Sequence, residues 1–154
     1  MLTAGYHVRV DLPAQATGVL VTEALGPDPR IAAVLAQRLR EAAYDGGPVT
    51  LAAAGSGDRR ALGDVSLAAS QLADVLGEPV SAAYVSAGQP RLDDVVPHNV
   101  SSYLLAPGLF ADKIAACGAR VIAGPLGPHA LLAEIALNRY RGALAQPPGR
   151  TAPA

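Results

Sequence analysis

The order of apolar and polar positions alternates between two periodicities along most of the chain. Five short apolar runs predict β-strands at residues 19–24, 49–54, 80–85, 100–105 and 120–123. Between these runs, apolar residues recur at the three- and four-residue spacing of an amphipathic helix. No hairpin dipeptide joins consecutive runs. The pattern therefore predicts βα units and a parallel sheet with helices on both faces.

Turn and capping residues place the predicted helices. Asp28 suits an N-cap and Pro29 suits the first helical turn, and the Asp-Gly-Gly-Pro sequence at 45–48 should end that helix. A long helix follows the Gly-Ser-Gly-Asp sequence at 55–58. Further helices are expected at residues 109–117 and 128–144.

The connection before the fourth apolar run is unusually short. Residues 93–100 are about ten fewer than a full helix with its loop requires. A short helix around Leu92, stopped by Pro97, is therefore expected there.

Two parts of the chain match each other at a fixed offset. The Leu-Gly-Pro triplet at 25–27 falls on the triplet at 126–128, an offset of 101 residues. At this offset Arg38 falls on Arg139, and the apolar positions of the two helices stay in register. A period near 100 residues is the size of a domain, so the match indicates a duplicated domain and not a solenoid.

The duplication predicts three segments. Residues 1–45 are the C-terminal part of a first copy, and residues 46–145 are a second, complete copy. Residues 146–154, rich in proline, glycine and alanine, form a disordered tail. Upstream of the triplets the match continues with a one-residue slip, which sets His7 over Leu109. The first copy then lacks its opening strands and helix.

Composition narrows the class of protein. The chain is 51% hydrophobic, with a formal net charge of −1 and no block of like charge. This argues against a nucleic-acid-binding surface or a polybasic membrane anchor. Cys117 is the only cysteine, so an internal disulfide and CxxC-type zinc sites are excluded. We see no secretory signal and no apolar run of about 18 residues, and expect a soluble, cytoplasmic protein.

His7 and Asp11 are the strongest candidate pair for metal chemistry. They lie four residues apart, so they share a face if this stretch is helical. Imidazole is the commonest metal ligand, and a neighbouring carboxylate can fix its tautomer or join the coordination sphere. The alternative is a loop histidine beside an N-cap aspartate, with Pro13 in the first turn.

The other histidines and the cysteine favour structural roles. His129 takes the position of Asp28 in the repeat, which predicts a capping or surface role. His98 follows Pro97 in a loop. Cys117 lies at a helix end with no histidine nearby in sequence, so we expect an inert thiol.

The sequence AAAGSGDRR, from Ala52, predicts a strand, a glycine-rich loop and a helix. Backbone amides of Gly55, Ser56 and Gly57, together with Arg59, could hold a phosphate or a carboxylate. A tight structural turn is the equal alternative, because the spacing is neither Walker A nor that of a dinucleotide-binding loop. A nucleotide- or phosphate-binding domain stays a third and weaker interpretation.

Several segments, in order, resemble the long sirohydrochlorin chelatases of the CbiX/SirB type. They are GYHVRVDLP from Gly5, ALGPDPR from Ala24, AAAGSGD from Ala52, YLLAPGLFADKIA from Tyr103 and PLGPHALLAEIALNRY from Pro125. The resemblance covers nearly all of the chain except the tail. It implies a chelatase-like, flavodoxin-type α/β fold that is duplicated in the long members. Here it implies one complete domain plus the C-terminal part of a preceding copy, truncated at the N-terminus.

The resemblance also implies a lyase-class reaction. The family inserts Co²⁺ or Fe²⁺ into sirohydrochlorin without ATP, on the way to cobalamin or sirohaem. One of its two histidines lies in an HGS motif, and the other lies in a GxH motif that Gly5-Tyr6-His7 matches. His7 is then expected to bind the metal and accept pyrrole protons, with Asp11 as a further ligand. The metal is a substrate and no cofactor stays bound; the expected partner is the tetrapyrrole, and a homodimer is left open.

This sequence departs from the family at both histidine positions of the second copy. Ala54 stands where the HGS histidine would be, and Leu109 stands at the other position. The HGS histidine of the first copy would lie upstream of Met1. One hypothesis is a chelatase that uses His7, with the missing half supplied by another subunit or an upstream segment. The other is a degenerate chelatase-like domain that binds a tetrapyrrole or a partner subunit without metalation.

Overall fold

The computed structural model describes residues 1–6, 10–16 and 19–145. Within them, four parallel strands form one sheet in the order β2-β1-β3-β4. The strands are β1 (Val49–Ala53), β2 (Val80–Tyr84), β3 (Asn99–Tyr103) and β4 (Val121–Ala123). Four of the five predicted strands and the parallel α/β architecture are confirmed. The predicted tail lies outside the described residues.

Five helices accompany the sheet in the described part of the chain: α1 (Leu12–Gln15), α2 (Pro29–Glu41), α3 (Arg59–Leu76), α4 (Leu109–Ala115) and α5 (Ala130–Leu144). Asp28 caps α2 as predicted, because its side chain accepts a hydrogen bond from the backbone N–H of Arg30. Only a 3-10 turn, Leu92–Asp94, lies between β2 and β3. This confirms that the helix predicted around Leu92 is short. None of these helices is long and apolar enough to cross a membrane.

Helix α2 belongs to the hydrophobic core of the sheet. Its Leu35 and Leu39 are fully buried and cluster with Leu51 of β1 and Leu72 of α3. The helix lies against α3, β3, β4 and α5. A smaller cluster that includes Ile114 of α4 covers the other face of the sheet. The helix that the repeat predicts for the first copy therefore covers the sheet that it predicts for the second.

The prediction of a strand at residues 19–24 is wrong. These residues form no strand, and Val19 and Leu20 are 66% and 59% exposed. At the repeat offset of 101 this stretch corresponds to β4, whose backbone pairs with β3. None of the described strands pairs with residues 19–24. An apolar run without a neighbouring strand has no partner for its backbone groups, so its extended pattern is not realised.

Backbone hydrogen bonds of the two copies match, but with a different slip from the one predicted. The N–H of Leu25 donates to the carbonyl oxygen of Met1 (2.8 Å), and the N–H of Leu126 donates to that of Leu104 (2.9 Å). Met1 is therefore the counterpart of Leu104. The slip upstream of the triplets is two residues and not one.

Two arginines at matching positions of the repeat make reciprocal contacts. Arg38 of α2 donates from Nε and Nη2 to the carbonyl oxygen of Leu126, at 3.0 and 2.7 Å. Its repeat equivalent, Arg139 of α5, donates from Nε to the carbonyl oxygen of Ala24 (3.2 Å) and pairs with Glu23 (2.9 Å). Helix α2 thus holds the loop before α5, and α5 holds the loop before α2. The division into copies at residue 45 stays a prediction, which this reciprocity supports.

Candidate functional site

The strand order creates a crevice between the carboxyl ends of β1 and β3. From β1 the chain passes through α3 to β2 on one side, whereas from β3 it passes through α4 to β4 on the other. In open parallel sheets, ligands bind outside the carboxyl ends of the strands where the connections diverge in this way. The loops after these two strands, residues 54–58 and 104–108, border the crevice.

The loops that follow β1 and β2 are joined by backbone hydrogen bonds. The N–H of Ser56 donates to the carbonyl oxygen of Ala87, and the N–H of Ser86 donates to that of Ala54, both at 2.9 Å. Gly55 has a φ of +96°, and a Cβ at this position would lie 2.1 Å from the carbonyl oxygen of Ala87. Only glycine fits such a close approach. This side of the crevice is therefore tightly built.

Within the glycine-rich loop, the side chains bond to the loop itself. Ser56 Oγ accepts from the N–H of Asp58 (3.0 Å), and Asp58 caps α3 by accepting from the N–H of Arg60 (2.9 Å). Gly57 and Arg59 are exposed. The tight-turn interpretation accounts for the residues before Gly57, whereas Gly57 and Arg59 remain accessible to an anion. Substrate binding by Gly55, Ser56, Gly57 and Arg59 stays a prediction.

The N-terminal segment, residues 1–6, lies across the crevice. The N–H of Ala4 donates to the carboxylate of Asp64 on α3 (2.7 Å). The hydroxyl of Tyr103, the last residue of β3, donates to the carbonyl oxygen of Leu2 (3.3 Å). The segment is thus held from both sides of the point where the strand connections diverge.

Gly5 brings the segment against the glycine-rich loop. A Cβ at Gly5 would lie 3.5 Å from the Cβ of Ala61 and 3.7 Å from Ser56 Oγ. These are ordinary contact distances, so Gly5 lies directly beside the first turn of α3 and the loop before it. Gly5, which directly precedes the Tyr-His sequence at residues 6–7, therefore lies next to the glycine-rich loop.

Tyr103 is a dependable hydrogen-bond donor to this segment. Burial raises the pKa of its hydroxyl well above the ordinary value, and the charges of Asp64 and Asp28 raise it further. The hydroxyl therefore stays protonated at all pH values near neutrality and continues to donate to Leu2.

His7 lies outside the described residues. Asp11 is partly buried and directly precedes α1, in which Pro13 occupies the first turn, but the Asp11 side chain makes no capping hydrogen bond. Among the described residues, no three His, Cys, Asp or Glu side chains come together as a metal site. Metal binding by His7 and Asp11 stays a prediction.

The two-residue slip changes the counterpart of His7 in the second copy. Gly5 matches Gly108, so His7 corresponds in sequence to Phe110. The prediction that Leu109 takes this position is wrong by one residue, because the slip inferred from the sequence was too small.

The second copy has no base at either of the expected positions. Ala54 directly follows β1, and its carbonyl oxygen accepts from the N–H (2.9 Å) and Oγ (2.6 Å) of Ser86. Phe110 lies in the first turn of α4 and is 37% exposed. Neither a methyl group nor a phenyl ring can bind a metal or accept a proton.

The remaining histidines have structural contacts away from the crevice. His129 caps α5, as predicted, because its Nδ1 accepts from the N–H of Leu131 (3.1 Å), while Nε2 lies 3.2 Å from Oε1 of Gln37. His98 directly precedes β3, at the amino-terminal ends of the strands and so opposite the crevice. Its Nε2 accepts from Nε of Arg120 (2.9 Å). Neither contributes to the candidate site.

Two residues of the candidate site, Asp64 and Tyr103, were not predicted from the sequence. Nothing in the sequence distinguishes Asp64 from Asp74, another aspartate on the same helix. Tyr103 is part of a motif that carried the family resemblance, but its partner lies 101 residues away. Only the fold brings either residue to the N-terminal segment.

Three solved structures share this fold. SirB from Bacillus subtilis with Fe³⁺ superimposes with a TM-score of 0.79 at 20% identity, covering 94% of this chain and 69% of that one. The sirohydrochlorin chelatase SirB from Bacillus subtilis subspecies spizizenii, in complex with cobalt, gives 0.75 at 20% identity, covering 93% and 66%. CbiX, the terminal enzyme for biosynthesis of siroheme in denitrifying bacteria, gives 0.72 at 18% identity, covering 94% and 74%.

The chain therefore has the fold of these chelatases and spans about two thirds to three quarters of their length. No protein-family profile and no curated protein sequence matches it.

Proposed function

We propose that the chain belongs to the sirohydrochlorin chelatases of the CbiX/SirB type. In this proposal it inserts Co²⁺ or Fe²⁺ into sirohydrochlorin without ATP, in the cytoplasm, for cobalamin or sirohaem synthesis. The observation that carries the proposal is the position of residues 1–6. This segment leads into the Gly-Tyr-His sequence and lies where the connections after β1 and β3 diverge. Sheets of this type, including those of the chelatase fold, bind their ligands at that point.

Metalation needs a base beside the incoming ion. Two pyrrole N–H protons must leave as one divalent cation binds the ring nitrogens. We assign this role to His7, because a neutral imidazole can bind the metal ion or accept a proton near neutral pH. Asp11 serves as a carboxylate ligand or as the group that orients the imidazole. The metal is a substrate that leaves with the product.

The accessible part of the glycine-rich loop suits the acidic groups of a tetrapyrrole. Arg59 and Arg60 are exposed at the N-terminus of α3, where the helix dipole also favours negative charge. Gly57 leaves the backbone beside them open. In this proposal Gly55 and Ser56 hold the turn, and Gly57 and Arg59 contact the substrate.

The test mixes the purified protein with sirohydrochlorin and Co²⁺ and follows the absorbance change of metalation. The protein should accelerate the change relative to buffer. His7→Ala should lower the rate by about 100-fold or more, the usual contribution of a positioned base. His98→Ala is the matched control, because His98 lies at the amino-terminal ends of the strands, away from the crevice. An unaccelerated reaction, or equal rates for wild type and His7→Ala, would contradict the proposal.

One observation favours a second candidate function. The second copy carries Ala54 and Phe110 where the family has its histidines, which is expected of a domain that binds a tetrapyrrole without metalating it. Titration with metal-free sirohydrochlorin separates the candidates. Binding without turnover supports the second function, and no detectable binding excludes both.

A further inference from the structure

One carboxylate on α3 binds a backbone group of the N-terminal segment and not a cation. Asp64 Oδ2 accepts from the N–H of Ala4 at 2.7 Å, in a partly buried contact. Arg60 stands four residues earlier on α3, the spacing at which opposite charges pair on a helix. Yet none of the ion pairs within residues 1–6, 10–16 and 19–145 includes Asp64. The carboxylate is therefore committed to the segment.

This hydrogen bond is the stronger of the two that hold the segment at the crevice. A carboxylate that accepts from a backbone N–H makes a charge-assisted bond, which is shorter and about twice as strong as a neutral one. The bond from the hydroxyl of Tyr103 to Leu2 is neutral and longer, at 3.3 Å. Burial raises the pKa of that hydroxyl and the negative charge of Asp64 raises it further. The two anchors therefore lie within electrostatic reach of each other.

The contacts also give the direction in which the segment runs along α3. Ala61 and Asp64 are three residues apart and so share a face of the helix. Ala4 contacts Asp64. Gly5 lies nearer the start of the helix, because a Cβ there would be 3.5 Å from the Cβ of Ala61 and 3.7 Å from Ser56 Oγ. The segment therefore runs toward the N-terminus of α3 and the glycine-rich loop.

The stronger anchor lies close to His7 in the sequence. His7 follows Ala4 by three residues, and three residues of fully extended chain span at most about 11 Å. A fixed Ala4 therefore limits how far residue 7 can move from the crevice. Metal binding and proton transfer depend strongly on such limits, since a misplacement of about 1 Å can lower a rate about 100-fold.

We propose that Asp64 is a positioning residue, which acts through its hydrogen bond to Ala4 and holds the loop that carries His7 in its productive position at the crevice. The inference rests on the function proposed above, in which His7 binds the metal ion or accepts a proton. Asp64 itself contacts neither the metal nor the tetrapyrrole. It therefore affects the rate of the bound complex and not the affinity for the tetrapyrrole.

Steady-state metalation of sirohydrochlorin by Co²⁺ compares Asp64→Ala with a matched control, Asp74→Ala. Asp74 is an exposed aspartate on the same helix. Asp64→Ala should lower kcat by about 10- to 100-fold and change KM by less than about twofold, the pattern of an interaction that matters only in the transition state. Asp74→Ala should match the wild type. Asp64→Asn keeps an acceptor oxygen for the Ala4 N–H, so it should recover most of the lost kcat.

Hydrogen–deuterium exchange measures the anchor without turnover. Mass spectrometry of the peptide that contains residues 1–6 follows the N–H of Ala4. Asp64→Ala should speed its exchange by at least about tenfold, as expected when a hydrogen bond to a charged group is lost. Peptides from α2 should keep the wild-type rate, which shows that the core is intact and that a lower kcat does not come from unfolding.

Three results would overturn the proposal, and they separate it from the function on which it rests. Equal kcat for Asp64→Ala and Asp74→Ala, with His7→Ala inactive, would remove the role of Asp64 and leave the proposed function standing. A lower kcat without faster exchange in residues 1–6 would show that Asp64 acts other than through Ala4. A wild-type protein that does not accelerate metalation would contradict the proposed function, and this inference with it.

Discussion

Helices α2 and α5 match each other in the sequence repeat, yet they are buried to very different extents. Both begin after a Leu-Gly-Pro triplet and a capping residue, Asp28 in one copy and His129 in the other. Helix α2 buries six residues and α5 buries two. Sequence pattern determines which faces of a helix can be buried, whereas the neighbouring elements determine which of them are.

The comparison predicts its largest effect at a pair of equivalent core positions. Leu39 is fully buried, whereas its counterpart Tyr140 is 59% exposed. Leu39→Ala should lower the free energy of unfolding by about 2–5 kcal/mol, because it leaves a cavity in the core. Tyr140→Ala should change it by about 0.5 kcal/mol or less, as for other surface positions. Urea unfolding of the isolated chain measures both, and equal losses would contradict the assigned difference in burial.

A smaller difference is expected between the two reciprocal arginines. Arg38 makes two hydrogen bonds to the carbonyl oxygen of Leu126, whereas Arg139 makes one longer bond to Ala24 and an ion pair with exposed Glu23. Arg38→Ala should cost about 1.5–3 kcal/mol, the range for hydrogen bonds to charged groups. Arg139→Ala should cost about 1 kcal/mol or less, since exposed ion pairs contribute little.

Thermal unfolding of both arginine variants checks this order. Arg38→Gln serves as a control, because it keeps a donor near the Leu126 carbonyl while removing the charge. A larger loss from Arg139→Ala than from Arg38→Ala would show that α5 is held more firmly than its contacts indicate.

The two N-caps should contribute about equally near neutral pH. Asp28 accepts from the N–H of Arg30, and His129 accepts from that of Leu131. Replacing either by alanine should cost about 1 kcal/mol. His129→Asp should retain the cap, because it supplies the group that α2 uses. A full loss from His129→Asp would show that the contact of His129 with Gln37, and not the cap, is what matters.

Acid tests the Asp28 cap. The hydrogen bond from the Arg30 side chain holds the pKa of Asp28 below its usual value. A lowered carboxyl pKa contributes stability that is present above the unfolded-state value of about 4 and is lost as the pH falls through the folded-state value. Asp28→Asn should therefore flatten the loss of stability below about pH 4. Unfolding midpoints measured between pH 2 and pH 6 test this, and an unchanged slope would contradict it.

The sequence predicts those features that depend on local pattern. Four strands, the cap at Asp28, the short turn at Leu92 and the His129 cap all follow from periodicity or from one turn residue. The strand at 19–24 fails because strand formation depends on a neighbour that the pattern does not contain. Asp64 and Tyr103 were not predicted because their roles also depend on distant neighbours. Their hydrogen-bond partners lie 60 and 101 residues away in the sequence.

The smallest effect is expected at Tyr103, which packs in the core beneath α2. Its single hydrogen bond to Leu2 is long, at 3.3 Å, so Tyr103→Phe should cost about 1 kcal/mol or less near neutral pH.

At high pH the Tyr103→Phe variant should behave differently from the wild type. Burial raises the pKa of Tyr103, so the folded state keeps the hydroxyl protonated while the unfolded chain ionises near pH 10. The stability that depends on the protonated group is therefore fully present below about pH 10 and is lost as the pH rises further. Tyr103→Phe should weaken this alkaline loss, and unfolding midpoints between pH 8 and pH 11 measure it. If the variant loses stability as steeply as the wild type, the hydroxyl is not buried beneath α2 as the structure has it.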